Sequence, residues 1–176
     1  MPPNKLMPEF IKGIAISKPK RESWLIEELY DALIPLDESV IIEKTRFQGV
    51  LVILSDRLDA RTISRAASKA EFSFMSRLIP ALVVLVASSR SDIDNAITRL
   101  LDGLTRNNIR LIANLRGSGK NLYSKRELTS KIESLGFKVL SRASRVLVIE
   151  SIDNIVVLSY GNTRRCGLNC ILLSIA

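Results

Sequence analysis

The chain contains no histidine among its 176 residues. Histidine is the usual general base near neutral pH and a frequent zinc ligand, so its absence removes Ser-His and Cys-His nucleophilic pairs and most zinc chemistry. The acidic residues form no paired Asp/Glu motif on an apolar background that could replace it. We therefore expect a protein that is not an enzyme and that uses no cofactor or metal ion.

Cysteine, aromatic residues and long apolar runs are also scarce. Cys166 and Cys170 are the only cysteines; without histidine they cannot close a zinc site, and two are too few for a disulfide scaffold. We expect two small core or strand residues and a cytoplasmic protein. Aromatics make up 5% of the residues, which argues against stacking on single-stranded bases. The most apolar stretch, Leu78–Ala87, is far shorter than the roughly 20 residues of a membrane span, so it predicts a buried strand and no membrane contact.

Positive charge is concentrated in the second half of the chain. Residues 1–88 hold 12 Lys and Arg against 11 Asp and Glu, a net charge of +1, whereas residues 89–176 hold 14 against 7, a net charge of +7. Such a field attracts polyanions at long range, and nucleic-acid backbones are the commonest of these. A solvated basic surface and a module that binds an acidic protein remain open as alternatives.

The first half alternates strand and helix patterns in the order β-α-β-β-α-β, which is that of a ferredoxin-like unit. We expect an α+β, mixed α/β, fold with a ferredoxin-like domain over residues 9–88 and a second domain over residues 89–176. The strand-like runs are Phe10–Ser17, Val40–Arg46, Val50–Leu54 and Leu78–Ala87, and helical spacing covers Arg21–Leu33 and Leu58–Ala70.

The second half begins with a helix that Ser91-Asp92 is expected to cap. A strand, a glycine-rich loop and a second helix follow, and Ser124 begins that helix with Glu127 as its capping-box partner. Gly136 is expected to end it in the left-handed conformation. The ranges are Ile109–Leu115 for the strand, Arg116–Asn121 for the loop and Lys125–Leu135 for the helix, with later strands at Phe137–Leu140, Val146–Ser151, Ile155–Tyr160 and Cys170–Ile175.

The glycine-rich loop occupies the position of a phosphate-binding loop, between a strand and a helix. The nucleotide-binding pattern GxxxxGK[ST] fails at both ends, because Asn114 stands at its first glycine and Asn121 at its Mg²⁺-binding Ser/Thr. The remaining features are Gly117 and Gly119, which would let backbone N–H groups approach an anion, and a helix N-terminus surrounded by basic side chains. They predict a phosphate site without hydrolytic machinery. A small NTP-binding protein or enzyme that uses the loop from Gly117 to Lys120 is the alternative.

Residues in and after this loop resemble the core of a THUMP domain. The segment Gly119–Leu128, the pair Leu135-Gly136 and the run Val146–Glu150, of the V-x-V-x-[IV]-E type, carry the resemblance, which covers residues 108–160. The preceding ferredoxin-like unit is similar to the domain that accompanies THUMP in 4-thiouridine synthetases and in the tRNA cytidine-acetylation adaptor family. Ser118 and Asn121 depart from residues that are frequent in those relatives.

The resemblance implies a THUMP-like α/β domain that binds structured RNA, chiefly tRNA near its acceptor end. Because the family places catalysis in a separate domain that these residues lack, it implies a module that presents tRNA to a separate RNA-modifying acetyltransferase. The basic residues and the capping serine of the second half are the candidate RNA-binding residues: Arg110, Arg116, Lys120, Ser124, Lys125, Arg126, Arg142 and Arg145.

Overall fold

The computed structural model describes residues 7–166 and 170–175. Within them the chain forms one mixed sheet of ten strands, four α-helices and two short 3₁₀-helices, and no helix is long and apolar enough to cross a membrane. The strands are β1 (Ile11–Ser17), β2 (Ile41–Lys44), β3 (Val50–Leu54), β4 (Met75–Pro80), β5 (Val83–Val86), β6 (Asn108–Asn114), β7 (Lys138–Val139), β8 (Arg145–Ile152), β9 (Ile155–Arg165) and β10 (Ile171–Ser174). The helices are α1 (Glu22–Leu33), α2 (Ala60–Ala67), α3 (Arg90–Leu101) and α4 (Lys125–Ser134), and the 3₁₀-helices are Pro8–Phe10 and Gly117–Asn121.

The mixed α/β class predicted from the sequence is confirmed. The first half follows the predicted β-α-β-β-α-β order up to β4, and β3 has the predicted bounds. The helix expected after Ser91-Asp92 begins earlier, because Ser89 is its N-cap and Asp92 closes the capping box from the third position. The division into domains at residues 88 and 89 stays a prediction.

The sheet joins the two halves of the chain through its last described strand. The order across the sheet is β2-β3-β1-β4-β10-β9-β8-β6-β7. Strand β10 lies parallel to β4 on one side and antiparallel to β9 on the other. Strand β10 pairs only with the last residues of β9, and the first four residues of β9 pair with β5. Strands β6 and β8 are parallel neighbours, so the segments that follow them meet at one end of the sheet.

The prediction of a single strand over Leu78–Ala87 is wrong, because the chain changes partners after Pro80. Proline has no N–H to donate to a ladder, and β4 ends there. The next two N–H groups donate to different strands, that of Ala81 to Lys12 O over 2.8 Å and that of Leu82 to Leu158 O over 3.1 Å. The apolar run therefore contains the end of β4, which pairs with β1, and all of β5, which pairs with β9.

Three apolar clusters hold this arrangement together. Helices α1 and α2 cover one face of the β1, β3 and β4 region, with Leu25, Leu29 and Ile63 fully buried. Helices α3 and α4 cover the corresponding face of β6, β8 and β9. The third cluster combines strand side chains from the two halves of the sheet, such as Ile14 and Val148, and none of its described members lies in a helix. The sheet is therefore folded over, with all four helices outside and an apolar layer inside.

Cys166 and Cys170 lie in the core, as expected from the sequence, and a disulfide bond, which the sequence did not predict, joins them. The antiparallel pairing of β9 with β10 brings the two residues opposite one another, with Cα atoms 5.1 Å apart. Both are buried in the cluster beneath α1 and α2. Disulfides persist chiefly in oxidising compartments, with intracellular proteins of hyperthermophiles as an exception. The cytoplasmic location stays a prediction.

Candidate functional site

The glycine-rich segment between β6 and α4 packs against the turn that joins β8 to β9. The N–H of Arg116 donates to Ser151 Oγ over 2.7 Å, and the N–H of Gly119 donates to Asp153 O over 3.1 Å. A Cβ on Gly119 would lie 2.7 Å from Ser151 Cβ, and Gly117 combines a φ of +61° with a contact to Asp153 that leaves no room for a side chain. These glycines allow close packing. The expectation that the Gly119 N–H is free for an anion is wrong.

Arg116 is neutralised by a buried carboxylate. Glu150 on β8 is 0% exposed and forms an ion pair with Arg116, whose side chain is 23% exposed. Asn114 Nδ2 donates to Glu150 Oε1 over 2.5 Å, and Arg77 on β4 lies 3.4 Å from the same oxygen. The carboxylate therefore binds the start of the loop and links β8 to the first half of the sheet. Arg116 has a structural partner, unlike the other basic residues of the loop.

The capping box predicted at the start of α4 is confirmed. Ser124 Oγ accepts from the N–H of Glu127 over 3.2 Å, and Glu127 Oε2 accepts from the N–H of Ser124 over 2.8 Å. The bond from the Ser124 N–H is the largest cause that lowers the pKa of Glu127 below its usual value, and Arg90, 2.8 Å away, adds to it. The helix N-terminus thus already faces a carboxylate. Attraction for an anion must come mainly from basic side chains.

Tyr123 fastens the loop to α3. Its hydroxyl donates to Asp94 Oδ1 over 2.6 Å, and the guanidinium of Arg90 lies 5.3 Å from the centre of its ring. Burial, together with the hydrogen bond to Asp94, raises the pKa of Tyr123 to about 12. A tyrosine keeps its proton at neutral pH in any case, and the raised pKa extends the hydrogen bond to Asp94 into alkaline solution. Contacts to α3, to β8 and to the turn between β8 and β9 therefore hold the loop at both of its ends.

Three basic side chains remain exposed on this rigid base. Lys120 lies in the 3₁₀-helix, and Lys125 and Arg126 occupy the first turn of α4. None of the three forms an ion pair within the described ranges. Cations in the first turn of a helix oppose its dipole. The arrangement suits the binding of an anion whose charge compensates these three side chains.

The other candidate residues lie at the opposite end of the sheet. Arg145 begins β8, whereas Ser151, which holds the loop, lies six residues along the strand; at about 3.3 Å per residue the separation is roughly 20 Å. Arg142 is exposed just before β8, and Arg110 pairs with the second residue of that strand. Arg145 also lies 3.3 Å from Tyr160 Oη. The eight candidates therefore form two groups, with Arg116 to Arg126 at one end and Arg110, Arg142 and Arg145 towards the other.

Several residues that build the site were not predicted to do so, and Glu150 was named only as the last residue of the Val146–Glu150 run. Glu150 carried a signal, since an acid directly after four apolar strand residues is expected to be buried and paired. Arg77 and Arg90 carried none, because their partners lie far away in the chain. The ion pair between Arg46 and Asp153 also had no signal in the sequence. It joins the loop between β2 and β3 to the turn between β8 and β9, which contacts Gly117.

Comparison with known proteins shows the fold of the chain. No family model and no curated protein matches it. Among solved structures, PH1313 from Pyrococcus horikoshii Ot3 superposes with a TM-score of 0.60 at 15% identity over 89% of this chain and 56% of that one. TrmN from Thermus thermophilus gives 0.56 at 15% identity over 85% and 45%. A 4-thiouridine synthetase, in a complex with RNA and bound ATP, gives 0.51 at 10% identity over 86% and 42%. The chain thus spans about half of each of these structures. It has a THUMP-like α/β fold.

Proposed function

We propose that the chain is a non-catalytic module that binds structured RNA, with tRNA as its main target. The observation that carries the proposal is a set of three exposed cations, Lys120 on the loop and Lys125 and Arg126 in the first turn of α4, which form no ion pair among the described residues. Phosphates are the natural partners of such a set, because charge-assisted hydrogen bonds to them are strong and need no particular base sequence. Because buried contacts fix the loop, the positions of these cations suit recognition of a folded RNA by its shape and backbone.

The fold supports the same proposal. One of the similar structures, the 4-thiouridine synthetase, is described in complex with RNA. At 10% identity the likeness concerns the fold, so the binding residues must be argued from this chain. They are the exposed cations of the loop and of α4. Ser124 contributes as the N-cap residue at which α4 begins. Arg116 would act by holding the loop in place through Glu150.

We further propose that the bound RNA is presented to a separate enzyme, an RNA-modifying acetyltransferase. The similar structures are about twice as long as the part that this chain matches, which fits a module that works beside a catalytic one. The test adds the purified chain to a candidate cytidine acetyltransferase and tRNA, and measures acetylcytidine formation. We expect product formation to rise with the wild-type chain. An unchanged rate would reject the adaptor role and leave RNA binding standing.

Nucleotide binding by the loop has less support. The Gly119 N–H is occupied by Asp153 O, and the carboxylates of Asp153 and Glu127 lie beside the loop and the helix end. Neither the Gly119 N–H nor the capped helix end is therefore free to hold a triphosphate, and Asn121 stands where the Mg²⁺-binding Ser/Thr would be. We expect ATP with Mg²⁺ to leave the thermal unfolding midpoint unchanged. A saturable rise in the midpoint would favour the nucleotide-binding alternative.

The decisive experiment measures the affinity of the chain for labelled tRNA by fluorescence anisotropy. The variant Lys120→Ala with Arg126→Ala should lose about 1–3 kcal/mol of binding free energy, as expected for lost phosphate contacts. The control, Arg57→Ala with Arg99→Ala, removes the same charge from exposed positions elsewhere and should lose far less. Equal losses in the two variants would show that net charge, and not this site, causes binding.

Salt provides an independent readout of the same complex. Each neutralised phosphate releases counterions, so the slope of log K against log salt is about −0.7 to −0.9 per contact. With about four to six contacts, affinity should fall by about two to three decades between 50 and 200 mM salt. An affinity that does not change with salt would point to an apolar protein interface instead.

A further inference from the structure

A second basic cluster surrounds a cavity between α2 and the ends of β9 and β10. The cavity has a volume of about 350 Å³, within the range of small-ligand pockets. Arg61 and Arg65 reach it from α2, and Arg164 reaches it from β9. Three hydroxyl side chains complete the polar lining: Ser64, Ser68 and Ser174. None of the candidate RNA-binding residues lines it.

The charges around this cavity are compensated only in part, through the attraction between Arg61 and Asp59 at the start of α2. Among the residues that the structure describes, none of Arg61, Arg65 and Arg164 forms an ion pair, and no acidic side chain lines the cavity. The nearest acid on the same helix, Asp59, accepts the N–H of Thr62 over 2.7 Å as the N-cap of α2. Arg61 and Arg65 are four positions apart on one helix face, where like charges repel. An anion in the cavity would remove this repulsion.

The cavity also offers a buried hydroxyl donor. Ser64 is 4% exposed, and its Oγ accepts the N–H of Ile175 over 3.2 Å. Because that bond uses a lone pair, the hydroxyl hydrogen is left to donate. Guanidinium groups bind phosphate oxygens in a bidentate manner, and a serine hydroxyl adds a further bond. None of the described residues that line the cavity is aromatic, so none of them could stack on a base. The chemistry therefore fits a phosphate group better than a whole nucleotide.

We propose that this cavity binds a backbone phosphate of the RNA, as a second contact separate from the loop. The inference rests on the proposed function and extends it to the first half of the chain. Arg145 pairs with Asn162, so Arg164, two residues further along β9, lies at the end of the sheet opposite the loop. Two phosphate contacts separated by roughly the length of β8, about 20 Å, fix the orientation of a rigid RNA as well as its affinity. A short single-stranded RNA cannot make both contacts with the same fixed geometry.

The test compares two double variants of the full chain that remove equal charge. Arg65→Ala with Arg164→Ala alters the cavity, and the control, Arg57→Ala with Lys69→Ala, alters exposed cations that do not line it. We expect the cavity variant to bind labelled tRNA about tenfold more weakly than the control, with a salt slope smaller by about 1–2. All four side chains are exposed, so both variants should fold, which circular dichroism verifies.

A second measurement identifies the source of the phosphate. Inorganic phosphate should raise the thermal midpoint of the wild type and not that of the cavity variant, with sodium chloride of equal ionic strength as reference. If the phosphate effect is lost but tRNA affinity matches that of the control, the cavity serves a free phosphate and the RNA assignment is overturned. If neither readout differs, the cavity binds no phosphate. If the wild type binds no tRNA, the proposed function fails, and the phosphate measurement still decides whether the cavity is an anion site.

Discussion

Replacing Arg116 by methionine should destabilise the protein without removing an RNA contact. Methionine keeps an unbranched stem and deletes the guanidinium that pairs with buried Glu150. Breaking a buried ion pair from one side costs about 3–5 kcal/mol, because a charge is left without its partner. Here Asn114 and Arg77 remain on the carboxylate, so we expect a loss of about 2–3 kcal/mol in the free energy of unfolding.

The measurement is equilibrium urea unfolding followed by circular dichroism, with an unchanged m-value as the sign of an intact native state. Glu150→Gln leaves two arginines that are partly exposed, at 23% and 29%, and that water can reach. Its cost should therefore be smaller, about 1–2 kcal/mol. The double variant completes a cycle, and the coupling energy of Arg116 and Glu150 should reach at least about 1 kcal/mol.

The same variants separate structure from binding. Under conditions where Arg116→Met is folded, its tRNA affinity should stay within about twofold of the wild type, whereas Lys120→Ala with Arg126→Ala should bind far more weakly. A coupling energy below about 0.5 kcal/mol would refute the structural role assigned to Arg116. A large loss of affinity in folded Arg116→Met that Glu150→Gln does not share would return this residue to the RNA contacts, because both variants break the ion pair but only the first removes the guanidinium.

Three further changes test the supports of the site. Gly119→Ala should cost about 1–3 kcal/mol in unfolding free energy because its Cβ overlaps a serine of β8, while Gly103→Ala, at a φ of +72° with open space around it, should cost only about 1 kcal/mol. Absorbance titration should show Tyr123 ionising near pH 12, so the stability that it adds is fully present below pH 10 and is lost as pH rises towards 12; its replacement by phenylalanine should remove this component. Replacing Cys166 and Cys170 by serine should cost about 2 kcal/mol, as expected for a short closed loop, and make stability insensitive to reductant; an unaltered unfolding midpoint would contradict the bond.

Local features of the fold were predictable from the sequence because their causes are local. Ser124 and Glu127 lie three residues apart and cap the same turn, so the sequence alone contains the whole interaction. Gly136 adopts a φ of +90° directly after the second helix of its half, as a left-handed terminus requires. The bounds of β3 follow from an uninterrupted run of apolar β-formers.

Pairing between distant strands was not predictable in the same way. Nothing in Cys170–Ile175 indicates that β10 lies between β4 and β9, because strand pairing depends on the layers that cover each face. The candidate site shows the same limit. Arg116 and Lys120 are both basic residues beside a glycine, yet Glu150 neutralises only the first, and that carboxylate is brought in by the parallel pairing of β6 with β8.

The position of β10 also determines when the sheet can be completed on the ribosome. Leu78 on β4 pairs with Leu172 on β10, so the edge of β4 waits unpaired while the intervening residues are made, roughly 5–20 s at ordinary rates of synthesis. An open edge next to an apolar layer is a template for pairing with other nascent chains. Faster translation would shorten this period, whereas a fragment containing only β1 to β4 would keep the open edge permanently. The element that joins the two halves is thus also the one that ends the vulnerable period of the newly made protein.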